Sequence, residues 1–151
     1  MYDIKRILVP TDFSKISYTA FDYVKDLAER MNADIYLIFV LEKSPPLFSA
    51  KSLGLSEEEI LAKMKIEAEN KLSEAASFFK EDTTLNVIQE IRVGTDYEEI
   101  VNYSKEINAD IIIIATHGRT GVLHTLLGSV AEKVIRFSKC PVLVISLKEE
   151  E

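Results

Sequence analysis

Hydrophobic positions along the chain fall into short, nearly unbroken runs that alternate with stretches of helical spacing. The first run is Ile4–Val9, and Pro10-Thr11-Asp12 after it predicts a strand that gives way to a loop. From Ser17 to Met31 the apolar residues Ala20, Phe21, Val24, Leu27, Ala28 and Met31 share one face of a single helix. Ile35–Leu41 is apolar almost throughout, as suits a central parallel strand covered on both faces. Residues 42–55, with Pro45, Pro46 and Gly54, form the long irregular loop; Ser56, with Glu59 three residues on, then opens a long helix. The inward stripe of that helix is Leu61, Met64, Ala68, Leu72, Ala75 and Phe79.

Asn86–Val93 alternates less cleanly and reads as an exposed edge strand ended by Gly94. Asp96 is placed to cap a short helix with Tyr97, Ile100, Val101 and Ser104 on one face, and Ile111–Ala115 supplies the most apolar strand. Ser129–Ser138 reads as the last helix and Pro141–Leu147 as the last strand, Pro being acceptable as a strand's first residue. Met31-Asn-Ala-Asp-Ile recurs in part as Ile107-Asn-Ala-Asp-Ile, each at a helix exit running into a strand. Asn32 and Asn108 are expected to end their helices in the left-handed conformation, and Asp34 and Asp110 to mark strand starts. Strands that alternate with helices specify an α/β fold, with an open parallel sheet and helices on both faces.

Composition narrows the field. The 151 residues suit a single domain spanning 1–151, and 47% hydrophobic with 28% charged residues is the balance of an ordinary globular chain. A formal charge of −7 argues against nucleic acid as a partner, because that affinity comes from Lys and Arg neutralising phosphates. No apolar run is long enough for a membrane span, and the opening Met-Tyr-Asp-Ile-Lys-Arg lacks the apolar core of a signal peptide, so a cytoplasmic protein is expected. Cys140 is the single cysteine; it offers neither a disulfide nor a cysteine metal site and reads as a small buried side chain.

Ligands of parallel sheets gather at the carboxyl ends of the strands, where strand order reverses. Two segments there carry unusual residues: Val9-Pro-Thr-Asp12, and Ala115-Thr-His-Gly118 with the loop that follows; if their strands are neighbours, they form one crevice. Gly118, Gly121 and Gly128 precede the last helix, and glycine admits close approach of an anion to free N–H groups at the positive end of a helix. A phosphate site at Gly128-Ser129-Val130 follows from this, set against a plainer reading with Gly128 as a turn and Ser129 as an N-cap. The spacing is not that of a Walker A loop. Asp12 has its own plainer role as the cap of the first helix, and His117 as a loop residue; His124 reads as exposed or packed on the loop. Glu57–Glu59 reads as a helix start and residues 148–151 as a solvated acidic tail.

Gly118, nine residues from Arg119 to Leu127, then Gly128-Ser129 matches all but the first glycine of the pattern G-x-x-G, nine residues, G-S/T, with Ala115 at that first position. With Ile7-Leu-Val-Pro-Thr-Asp12 and Lys139-Cys-Pro-Val-Leu-Val-Ile145, this resembles the nucleotide-binding branch of the universal stress protein family over essentially the whole chain. The resemblance implies an adenine nucleotide alpha hydrolase-like fold with strand order 3-2-1-4-5 and a site for ATP or AMP. It puts Pro10 and Thr11 beside the adenine, Asp12 near the ribose or a Mg or Mn ion, and Val40 against the base through its backbone. His117, Gly118, Gly128, Ser129 and Val130 would surround the phosphates; Arg119 is a further candidate for a phosphate contact, one that the family pattern does not fix. A nucleotide-dependent sensor or interaction module in the stress response, with an unknown protein partner, is the implied role. A slow metal-dependent ATPase and a dimeric scaffold without nucleotide binding are the alternatives, and no catalytic residue is assigned. The resemblance also implies a homodimer through Val142 to Leu147.

Overall fold

The computed structural model describes residues 2–42, 54–81, 84–116 and 127–146. Five parallel strands, β1 (Arg6–Pro10), β2 (Asp34–Leu41), β3 (Val87–Val93), β4 (Ile111–Ala115) and β5 (Val142–Ile145), lie in the order β3-β2-β1-β4-β5. Strand order reverses beside β1, between β2 and β4, so the carboxyl end of β1 opens into the crevice where a ligand is expected.

Alternation of side chains across the strands splits the core in two. Ile7, Val9, Ile35, Leu37 and Phe39 face α1 (Lys15–Tyr18), α2 (Phe21–Met31) and α3 (Glu57–Lys80). Leu8, Ile38, Ile112 and Ile114 face α4 (Asp96–Glu106) and α5 (Ser129–Phe137). β3 is the edge strand foreseen, with all seven residues only half-buried. Its Arg92 bonds to Glu90 and to Glu106 of α4 and lies 4.9 Å from the Tyr103 ring centroid, fastening α4 to the sheet edge. Burial, helped by the charge of Glu90, pushes the Tyr103 phenol up to about 12.

The repeated junctions behave as a pair. Asn32 (φ 54°) and Asn108 (φ 51°) are both left-handed helix exits. Asp110 accepts the Lys5 and Arg6 N–H groups at 2.8 Å each, and Asp34 accepts Asn86 Nδ2 at 3.3 Å, so the two junctions clamp the amino ends of neighbouring strands.

Several boundaries differ from the sequence expectation, β5 for one running only over Val142–Ile145, and three of the differences have a visible cause. Pro10 belongs to β1, where it pairs with Ile38, and the Thr11 N–H extends the ladder to the Ile38 carbonyl at 2.9 Å. Pro10 lies beyond the Ile7–Leu8 stretch that pairs with β4. The single helix expected over Ser17–Met31 is two pieces, because the Thr19 and Ala20 N–H groups turn to the carbonyls of Ile16 and Ser17, beside Ser17 Oγ and Thr19 Oγ1 donating to the carbonyls of Ser14 and Ile16. The N-cap of α4 is Thr95; Asp96 follows it and accepts the Tyr97 N–H at 2.6 Å. The capping box of α3 forms as expected, with Glu59 N–H on Ser56 Oγ and Ser56 N–H on Glu59 Oε2.

Candidate functional site

β1 hands the chain to a turn whose polar groups are mutually satisfied. Thr11 Oγ1 lies 2.9 Å from Ser17 Oγ and accepts the Phe13 N–H at 3.1 Å, while Asp12 Oδ1 accepts the Ser14 N–H at 3.0 Å. Ser14, not Asp12, caps α1 through the Ser17 N–H, so the helix-cap role for Asp12 does not hold. These bonds hold Phe13 at φ 67°, an uncommon conformation for a bulky residue, and its ring stacks on Phe39 with centroids 4.4 Å apart.

On the far side of the strand-order reversal, Thr116 leaves β4. Its N–H donates to the Ile145 carbonyl and its own carbonyl accepts the Gly128 N–H, which ties the start of α5 to the end of the sheet. Gly128 is the N-cap, with no side chain to offer, and Ser129 is the first helical residue, so the alternative that makes Ser129 the cap is also set aside. The first intrahelical bond runs from the Glu132 N–H to the Gly128 carbonyl, which leaves the N–H groups of Ser129, Val130 and Ala131 ahead of any acceptor in the helix. That is the local chemistry of an anion site. Gly128 has φ −68° and ψ 155°, angles open to any residue, so its backbone conformation does not call for glycine.

These segments meet in one crevice of about 530 Å³, a volume suited to a small-molecule ligand. Pro10, Thr11, Asp12, Val40, Ala115, Gly128, Ser129 and Val130, all singled out from sequence, line it together. His117, Gly118 and Arg119 lie outside the described residues. The sequence reading missed Phe13, Asp96 and the α3 residues Met64, Glu67 and Lys71, which also line the crevice. Met64 belongs to the apolar stripe of α3, which lines the crevice as well as packing on the sheet. Lys71 pairs with Glu67 at 3.1 Å and places its Nζ 5.9 Å from the Phe13 ring centroid.

Ala115 has no positive φ and is 7% exposed. By strand alternation its methyl points to the same side as Ile113, toward α1–α3 and away from α5. Ala115→Gly should therefore change anion affinity by no more than about twofold, while removing about 0.5–1 kcal/mol of stability. Titration calorimetry beside urea unfolding checks both, and a tenfold tightening would show that the methyl crowds the ligand.

The profile of the universal stress protein family matches residues 3–146, and the chain belongs to that family. It is 36% identical over 156 aligned positions to universal stress protein MJ0577 of Methanocaldococcus jannaschii, covering 95% of this chain and 96% of the relative. A solved structure, described as a structure-based assignment of the biochemical function of hypothetical protein MJ0577, superimposes with a TM-score of 0.83 at 34% identity, covering 98% of this chain and 99% of that one. Two further structures share the fold: a universal stress protein in complex with cAMP (TM-score 0.68, 23% identity, 97% and 99% covered) and one from Archaeoglobus fulgidus in complex with dAMP (0.66, 22%, 96% and 99%).

Proposed function

We propose that this universal stress protein domain binds an adenine nucleotide, ATP or AMP, in the crevice, and that occupancy signals to a protein partner in the stress response. The observation that carries the reading is the convergence, on one cavity, of Pro10–Asp12, the end of β2 at Val40, and the open N-terminus of α5. The ligands of the two complexes above share an adenine base and a phosphate, which in this reading take opposite walls of the crevice. The base lies against the Val40 backbone with Pro10 and Thr11 beside it, Asp12 serves the ribose, and the phosphates lie on the N–H groups of Ser129 and Val130. The Ser129 hydroxyl is not used to cap the helix. His117, Gly118 and Arg119 complete the phosphate side in this reading.

The test is to denature the purified protein, separate the released small molecules, identify them by mass, and titrate ATP and AMP alongside. Bound or titratable adenine nucleotide supports the reading; neither would favour a scaffold without nucleotide.

A slow ATPase is the second reading, favoured by the carboxylates of Asp12 and Asp96, which line the same crevice as the α5 N-terminus. Among the described residues no three His, Cys, Asp or Glu side chains are grouped as metal ligands, so Mg or Mn would be held by the phosphates together with Asp12. Such an ion would supply charge neutralisation for phosphoryl transfer. Cytoplasmic residence remains part of the proposal; among the described residues no helix is long and apolar enough to cross a membrane.

The homodimer proposal rests on β5. Among the described residues it pairs only with β4, and Leu143 on it is 40% exposed. An apolar edge of this kind invites pairing with a second copy, along Val142 to Leu147. Leu147 lies outside the described residues. Leu143→Lys should convert a dimer to a monomer without unfolding it, as read by light scattering on a sizing column; a wild-type monomer would remove the idea.

A further inference from the structure

A second cavity of about 500 Å³ adjoins the crevice and shares Phe13 and Lys71 with it. It lies between the first helices and α3, and its other walls include Tyr18, Phe21, Glu74 and Phe78. Four aromatic side chains thus line a space that also meets the Glu74 carboxylate and the Lys71 ammonium, the latter paired with Glu67. Their rings are already arranged in contact, Tyr18 on Phe21 at 5.0 Å and Phe21 on Phe78 at 5.7 Å between centroids. Phe21 is buried, whereas Tyr18 is 36% exposed and Phe78 half-buried, so ring surface remains open to a ligand.

The partition between the two cavities is Phe13, whose left-handed backbone is an energetic cost that the Thr11 and Asp12 hydrogen bonds around it sustain. Strain of this kind concentrates where a side chain must be aimed. Here it aims a ring between the nucleotide crevice and the aromatic cavity, stacked on Phe39 on one side and approached by Lys71. Burial first, then the carboxylates of Glu74 and Asp12, raise the Tyr18 phenol above its ordinary value, so it stays protonated and available as a donor.

We infer that this annex is a subsite for an uncharged planar heteroaromatic ring, bound next to the nucleotide across Phe13. The ring stacks on Phe78, with an acceptor atom at its edge toward the Tyr18 hydroxyl. An anionic ring is disfavoured by the Glu74 carboxylate, because the Lys71 ammonium is already paired with Glu67, and planarity follows from the aromatic walls. Two sources supply such a ring: the second base of a dinucleotide whose first half fills the crevice, or a free nucleoside. The inference rests on the reading of the crevice as an adenine nucleotide site.

The experiment adds diadenosine tetraphosphate or adenosine to protein saturated with AMP and follows the Tyr18 and Phe78 ring resonances by NMR, with affinities from calorimetry. Shifts with the dinucleotide alone identify a tethered second base; shifts with both identify a free-ring site. Tyr18→Ala and Phe78→Leu should each weaken this second event by about tenfold and leave AMP affinity unchanged. Tyr18→Ala removes a partly exposed ring and guards against a folding artefact. If AMP binds but neither probe moves the two rings, the annex is refuted while the nucleotide reading stands; if AMP and both probes fail to bind, both are refuted.

Discussion

Ser129→Phe should abolish nucleotide binding, weakening it by more than about 100-fold, while the protein stays folded. Ser129 is exposed at the first turn of α5, so a larger side chain there meets no core. It would instead stand over the N–H groups of Val130 and Ala131 and deny them to a phosphate. Ser129→Ala isolates the hydroxyl, whose loss should weaken binding by roughly 10- to 150-fold if it donates to a charged phosphate, a hydrogen bond worth about 1.5–3 kcal/mol. Circular dichroism and thermal unfolding establish that the variants are folded, and calorimetry with AMP measures affinity. Unchanged affinity in Ser129→Phe would move the phosphate site elsewhere.

Phe79→Ala should remove about 3–5 kcal/mol from a total stability on the order of 5–15 kcal/mol. Phe79 is 0% exposed, near the carboxyl end of α3, with Phe21 of α2 at 4.8 Å and Phe78 at 5.2 Å between ring centroids. It is the largest fully buried side chain of the described residues, and it locks α2 and α3 to each other over the sheet. Alanine would leave a void bounded by rigid rings and strands that cannot collapse into it. Urea denaturation followed by circular dichroism gives the loss from the midpoint shift at constant slope. A loss below about 1 kcal/mol would mean that this helix pair relaxes to fill the space.

The sheet was legible because β1, β2 and β4 are buried on both faces, and such strands read as apolar runs with turn residues at their ends. The α3 start was legible because Ser56 and Glu59 form a capping box, which is local chemistry. The Asn exits were legible for the same reason: Asn tolerates positive φ. The break between α1 and α2 was not, because it lies in the backbone: the Thr19 and Ala20 N–H groups turn to the carbonyls of Ile16 and Ser17, three residues back, beside the Ser17 and Thr19 hydroxyl bonds.

Within the site, the sequence by itself determined the membership of the crevice along β1, β4 and α5, since Pro10, Thr11, Asp12, Ala115, Gly128, Ser129 and Val130 stand at strand ends and a helix start. Those positions follow from local pattern together with the rule that parallel sheets bind at their carboxyl ends. Tertiary structure alone decided that Met64, Glu67 and Lys71 of α3 and Asp96 of α4 would wall the same space, because neither helix is near β1 in sequence. It also decided the conformation of Phe13, which depends on the Thr11–Ser17 contact and on Phe39 arriving from β2. Periodicity reports which face of an element is apolar, whereas what that face meets, and where its ends project past the sheet, is fixed by strand order and register.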